Sequence, residues 1–221
     1  MKIIGITGKA GSGKDAFAGF LIEALSNSGK RVFTDQLAAP IKMAVAGILD
    51  VDVSTIEERA FKEASLLDNY ELDTSPRKML QTLGTEWGRG IDEEIWLKLL
   101  MPRLEEYEEN GADYCIITDV RFSNEQEWFE NMGGSLIHIH RPLAQEVAGH
   151  ISESGLGQDC DFYVSNTAGL HSLNLEAKAI ADEMMLEASV RDEFTEALSS
   201  RRLNDVSPRE WDKASAKALP F

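Results

Sequence analysis

Two cysteines among 221 residues, Cys115 and Cys160, provide neither a disulfide framework nor a metal-ligand spacing. Basic residues are also scarce: 22 Lys and Arg stand against 38 Asp and Glu, a net charge of −16. Such a field repels phosphate backbones and anionic lipid, so neither polynucleotide nor membrane-surface binding is expected. An anionic ligand would need the few cations gathered around it. No apolar run approaches the roughly 18 residues of a membrane span, and the opening stretch is too short for a secretory signal. A cytoplasmic setting is expected. Internal repeats and low-complexity segments are missing too. At about 150 residues per domain the chain has room for one domain with insertions. A chain of this size buries about 70% of its unfolded surface, so no disulfide or metal staple is needed.

What is there alternates. Lys2 to Thr7 is a β-branched run, followed by a glycine-rich stretch and by apolar residues at helical spacing (Phe17, Phe20, Leu21, Ala24, Leu25) as far as Asn27. Arg31 to Thr34 reads as a second strand. From Pro40 to Met101 the pattern is helical, broken by acidic loops around 50–52 and 69–75. Tyr114 to Thr118 is a buried-strand run. Ser123 to Gln126 has capping-box spacing and opens a helix that Gly133 and Gly134 close. Strands follow at Leu136 to His140 and Asp161 to Ser165, then an amphipathic helix from Leu173 to about Ala188. Strands alternating with helices predict an α/β fold, a parallel sheet covered on both faces.

Gly8-x-x-x-x-Gly13-Lys14 has phosphate-loop spacing, after a strand and before a helix as the mechanism requires. Backbone N–H groups of Gly8, Lys9, Ala10, Gly11, Ser12 and Gly13 can curl around an anion, and Lys14 can reach β- and γ-phosphates. Asp15 stands where Ser or Thr is usual, and a carboxylate is an acceptable Mg²⁺ ligand, directly or through water. The spacing therefore predicts binding of a nucleoside triphosphate with Mg²⁺. A guanine-reading Asn-Lys-x-Asp is missing, which argues against a switch GTPase. The strand ending at Thr118 delivers Asp119, either a Walker-B-type carboxylate near the metal or a turn and cap residue. Arg121 follows at the same carboxyl edge, suited to a phosphate or to a surface ion pair.

These blocks resemble the deoxynucleoside monophosphate kinases of bacteriophages, the T-even type included. The likeness runs through Ser12-Gly-Lys-Asp15, Leu37-Ala-Ala-Pro-Ile-Lys42, Arg77 to Thr85, Trp96-x-Lys98, Thr118 to Glu125, Ile139-His-Arg-Pro142, His150 to Leu156 and Asp161 to Asn166. The resemblance implies a P-loop, nucleoside-monophosphate-kinase-like fold over 1–188. Within it lie a helical substrate region at about 37–110 and a lid at about 142–158. It implies transfer of the γ-phosphoryl of ATP to a deoxynucleoside monophosphate, in a host cytoplasm if the chain is of phage origin. Residues 189–221 have no counterpart in it. Base choice and oligomeric state, a homodimer included, stay open. Two rivals remain: a kinase of another phosphomonoester, such as phosphomevalonate, and a non-catalytic ATP-binding switch.

Under the resemblance, Lys14, Arg121 and Arg141 are the catalytic candidates, with Arg141 stabilising charge on the phosphoryl in transit. Arg77 and Arg121 are candidates to hold the acceptor phosphate, and Lys42 is either their helper or a solvated lysine. Gln81 and Thr85 follow Arg77 by one and two turns on one helix face. Trp96 either stacks on the acceptor base or belongs to the core. Glu125 orients Arg121, reads the base or sugar, or simply sits in a first helical turn. His150, Ser152 and Glu153 form the polar cluster of the lid, and Asn166 is placed to touch adenine. His138 and His140, without further ligands, read as packed or exposed side chains.

Overall fold

The computed structural model describes residues 1–142 and 160–202. Its chain order is β1 (Lys2–Thr7), α1 (Lys14–Asn27), β2 (Val32–Asp35), α2 (Ala39–Leu49), α3 (Val53–Glu57), α4 (Arg59–Glu63) and α5 (Leu67–Tyr70). There follow α6 (Pro76–Gln81), a π-helical segment (Thr82–Arg89), α7 (Ile95–Glu109), β3 (Tyr114–Ile117), α8 (Ser123–Asn131), β4 (Ser135–His140), β5 (Phe162–Ser165) and α9 (Leu170–Arg202). Two compact units divide it, Met1–Lys178 and Ala179–Phe221, and every candidate site residue described below belongs to the first. Among the described residues no helix is long and apolar enough to cross a membrane.

The five strands form one sheet in the order β2-β3-β1-β4-β5, with every pairing parallel. The central strands read as near-continuous apolar runs because both faces are covered: Ile3 to Thr7 and Tyr114 to Ile117 are all buried. On α1 the buried stripe is Phe17, Ala18, Leu21 and Leu25, each large member contributing roughly 1.5–3 kcal/mol by leaving water. One core cluster joins Leu37, Ile41, Trp96, Leu97, Leu100 and Leu104 to strand residues Cys115 and Ile117. A smaller one, Val45, Ala46, Leu49, Ile56 and Leu66, holds the helical insertion together. The chain winds outward from β1 to β2, then returns to place β3 and β4 on either side of β1. Ligands of open α/β sheets bind outside the carboxyl ends of strands at such a reversal.

Most predicted elements stand where the sequence puts them, with informative exceptions. The second strand is Val32–Asp35, one residue later than Arg31 to Thr34, because Arg31 is held outside it: its N–H donates to the Asp113 carboxylate at 2.7 Å. Ser123 does not cap α8. The cap is Phe122, which has no side-chain acceptor, and Glu125 receives the N–H groups of Arg121 and Phe122. The last helix continues to Arg202, well past Ala188. The helix after Pro76 loosens at Thr82 into π winding through Arg89, a change that apolar periodicity does not signal.

Candidate active site

The loop after β1 is bent by glycines at positions other residues cannot hold. Gly8 lies at φ 138°, and a Cβ there would sit 2.3 Å from the Ile139 carbonyl oxygen of the adjacent strand. Gly13, at φ 101°, precedes α1 and faces Asn166, whose Nδ2 would be 2.5 Å from its Cβ. Lys14 folds back across the loop, donating to the carbonyls of Gly8 at 2.6 Å and Lys9 at 2.9 Å. Asp15 is exposed in the first turn of α1, and Ala10 lies half-buried in the loop.

Three neighbouring strand ends brace this loop or lie beside it. Arg141, just past β4, donates to the Gly11 carbonyl at 3.3 Å. Asn166, just past β5, gives its side-chain amide to Ser12 O at 2.8 Å and its backbone N–H to His140 O at 2.7 Å. The Ser12 hydroxyl is buried without a hydrogen-bond partner among the described residues, as is that of Thr7. Beyond β3, Asp119 turns both carboxylate oxygens to the backbone after β2: Oδ1 accepts from Leu37 N at 2.8 Å, Oδ2 from Ala38 N at 2.9 Å. It thereby satisfies N–H groups at the start of α2.

Glu125 is 3% exposed, although a carboxylate. Burial pushes its pKa up to about 7; the N–H groups of Arg121 and Phe122 and the charge of Arg89 pull the other way, and nearby Asp119 adds to the rise. Arg121 is half-buried, its backbone N–H 2.7 Å from Glu125 Oε2.

On the helical insertion, Lys42 donates to Gln36 Oε1 and, at 2.7 Å, to Glu57. Arg77 pairs with Glu63 at 2.6 Å, and that hydrogen bond holds the Glu63 carboxyl below its ordinary value. Ser75 caps α6 with Pro76 in its first turn, which fixes where Arg77 emerges. Gln81 and Thr85 are half-buried beyond it. Trp96 is a core residue, not an exposed stacking platform: it is 7% exposed, and its Nε1–H donates to Gly84 O at 2.8 Å. The exposed indole of this region is Trp87. His150, Ser152 and Glu153 lie outside the described residues.

Two groups escaped the sequence reading. Asp35, at the end of β2, accepts from Arg103 Nε at 2.6 Å, Tyr107 Oη at 3.1 Å and Gln36 N at 2.6 Å, pinning the β2–α2 turn to α7. Burial, then the Asp35 charge, pushes the Tyr107 phenol up to about 12, so it remains a donor. Arg89 is the second, with its guanidinium 3.9 Å above the Phe122 ring. Its position four residues after Thr85 was the available signal.

Among the described residues no group of three or more His, Cys, Asp or Glu side chains could form a metal cage. Mg²⁺ commonly takes one or two carboxylates, waters and substrate phosphate oxygens. Asp15 at the loop and Asp119, with a lone pair left on each oxygen, suit that donor set.

Comparison with known proteins identifies the family. The family model for deoxynucleotide monophosphate kinase matches residues 50–177. The deoxynucleotide monophosphate kinase of Enterobacteria phage T4 is 26% identical over 235 aligned positions, covering 78% of this chain and 95% of that protein. A putative deoxynucleotide monophosphate kinase of Acanthamoeba polyphaga mimivirus is 32% identical, over 69% of this chain and 81% of its own. The deoxynucleoside-5'-monophosphate kinase of Escherichia phage T5 is 36% identical over 51% and 48%. With a matched family span longer than half the chain, and these likenesses around it, the protein belongs to the deoxynucleotide monophosphate kinase family.

Proposed function

We propose that the enzyme transfers the γ-phosphoryl of Mg·ATP to a deoxynucleoside 5'-monophosphate, with the phosphates of ATP in the loop from Gly8 to Asp15. The observation that carries this reading is the convergence of Lys14, Arg141 and the end of β5 on that loop. An oxygen of the acceptor phosphate forms the new bond to the γ-phosphorus as the bond to the β–γ bridging oxygen breaks, leaving ADP. Such a step asks the protein for alignment and charge neutralisation rather than covalent chemistry.

Lys14 exchanges its two carbonyl acceptors for phosphate oxygens. A hydroxyl buried unpaired costs about 1–3 kcal/mol, and a phosphate oxygen in the loop is the acceptor that Ser12 lacks. Arg141 stabilises the charge that spreads over the equatorial oxygens. Arg121 and Arg77 hold the acceptor phosphate, Arg77 after release from Glu63, while Lys42, Gln81 and Thr85 line the acceptor region. Asn166 braces the loop beneath the nucleotide. Asp15 and Asp119 would hold Mg²⁺, directly or through water; when bound, it neutralises the β- and γ-phosphates. Nothing comparable supports the phosphomevalonate reading. A bare ATP switch leaves Arg121 and Arg141 without a task.

The test is Lys14→Ala, judged by ADP release with ATP and a deoxynucleotide and by circular dichroism. The expected result is a kcat at least about 100-fold lower with the fold intact, as for removal of a charge-stabilising donor. Turnover near that of the wild type would remove the loop from the mechanism.

A further inference from the structure

We infer that Arg89 is a positioning residue of the acceptor site, locking the Arg121–Glu125 turn to the helix that carries Arg77, Gln81 and Thr85. The inference rests on the kinase reading above and specifies how two halves of the acceptor site keep their register.

Arg89 is satisfied on every side that could serve this purpose. Its Nη1 donates to Glu93 O at 2.9 Å, its Nη2 donates to Asn124 Oδ1 at 2.9 Å, and the guanidinium carbon lies 3.9 Å from the centroid of the Phe122 ring. Glu125 Oε1 stands 3.8 Å from Nη1, with side-chain exposures of 14% for Arg89 and 4% for Glu125. The other oxygen of Glu125 accepts the N–H groups of Arg121 at 2.7 Å and Phe122 at 3.0 Å. A continuous path thus runs from Arg89 through Glu125 to the Arg121 backbone. With its fork hydrogen-bonded to two acceptors and ion-paired to Glu125, and its face on a ring, Arg89 acts through Arg121 rather than on a substrate.

The π-helical segment explains how Arg89 reaches this place. Residues 77, 81, 85 and 89 are spaced by four and all half-buried. In an α-helix of about 3.6 residues per turn, each step of four advances about 40°, so Arg89 would stand about 120° around from Arg77. With π winding at about 4.4 residues per turn, a step of four falls back by about 30°. One α step and two π steps return Arg89 to within about 30° of Arg77. Trp96 supports the looser winding: its Nε1–H takes up the Gly84 carbonyl, and its ring occupies the space where a side chain at 88 would be, 2.1 Å from a Cβ built there. A donor inserted into the carbonyl ladder is a known cause of such distortion.

Steady-state kinetics on the full chain test this, comparing Arg89→Gln, Arg89→Lys, Arg121→Gln and the Arg89→Gln/Arg121→Gln double variant, with ATP and a deoxynucleoside monophosphate each varied. We expect Arg89→Gln to raise the acceptor KM at least tenfold and leave the ATP KM within twofold. Arg89→Lys should recover only part of the loss, since an ammonium cannot stack and fork together. The double variant should be no worse than Arg121→Gln within twofold, because both act on one interaction. Multiplying losses, an acceptor KM within twofold of wild type, or ATP and acceptor constants worsening in parallel would overturn the inference. Should Arg89→Gln fail to fold, Arg89→Lys and Phe122→Leu carry the same comparison. Wild-type protein inactive on every deoxynucleotide would remove the kinase reading and the inference with it; active wild type with an indifferent Arg89→Gln removes the inference alone.

Discussion

Asp119 Oδ1 accepts the N–H of Leu37 at 2.8 Å across 82 positions of sequence, so the end of the third strand holds the turn that begins the helical insertion. Its second oxygen does the same for Ala38. Asp119→Asn leaves one of those N–H groups facing an amide NH2 and removes the charge offered to Mg²⁺. We expect a stability loss of about 1–3 kcal/mol in urea unfolding, together with a severalfold rise in the Mg²⁺ concentration giving half-maximal rate. An unchanged Mg²⁺ dependence would confine Asp119 to the turn.

Glu125 makes stability depend on pH in a direction opposite to that of an ordinary paired carboxylate. Its folded pKa of about 7 lies above the ordinary 4.5, so the native state holds the proton more tightly than the unfolded chain. Its contribution is therefore complete below about pH 4.5 and is lost as pH rises through 7. Relative to Glu125→Gln, which does not titrate, the wild type should lose about 2–3 kcal/mol between pH 5 and 8. Urea unfolding of both proteins at several pH values checks this; parallel pH curves would contradict it.

Trp96→Phe separates packing from recognition. The variant keeps an aromatic ring in the core but removes the indole donor from the Gly84 carbonyl, for an expected cost of about 0.5–1.5 kcal/mol. Because the indole is buried, relative kcat/KM among the four deoxynucleotides should change less than twofold. A reordering of base preference would assign Trp96 to the acceptor after all.

How far the sequence could be read follows from where each signal is written. Strands buried on both faces appear as continuous apolar runs, and the phosphate loop is a contiguous octapeptide, so β1 to β5 and the bend after Thr7 were legible. Trp96 was ambiguous because it lies among Leu97, Leu99 and Leu100, where an indole packs as readily as it stacks. The anchors of Asp35 and Asp119 were invisible because their partners are 68 and 82 residues away. Arg89 escaped because helical periodicity assumes 3.6 residues per turn, and the winding changes from Thr82 onward, in the segment where a tryptophan from the next helix reaches the Gly84 carbonyl. The helix beyond Ala188 was understated because its polar sequence gives no apolar stripe to follow.

The central claim is acceptor-dependent phosphoryl transfer, and a coupled ADP-release assay measures it most directly. The assay supplies Mg·ATP with dAMP, dCMP, dGMP and dTMP, their ribose forms, and phosphomevalonate in turn. The account predicts turnover with one or more deoxynucleotides, dependent on the acceptor and abolished with Lys14→Ala. ATP binding without turnover on any deoxynucleotide, or turnover with phosphomevalonate alone, would contradict it.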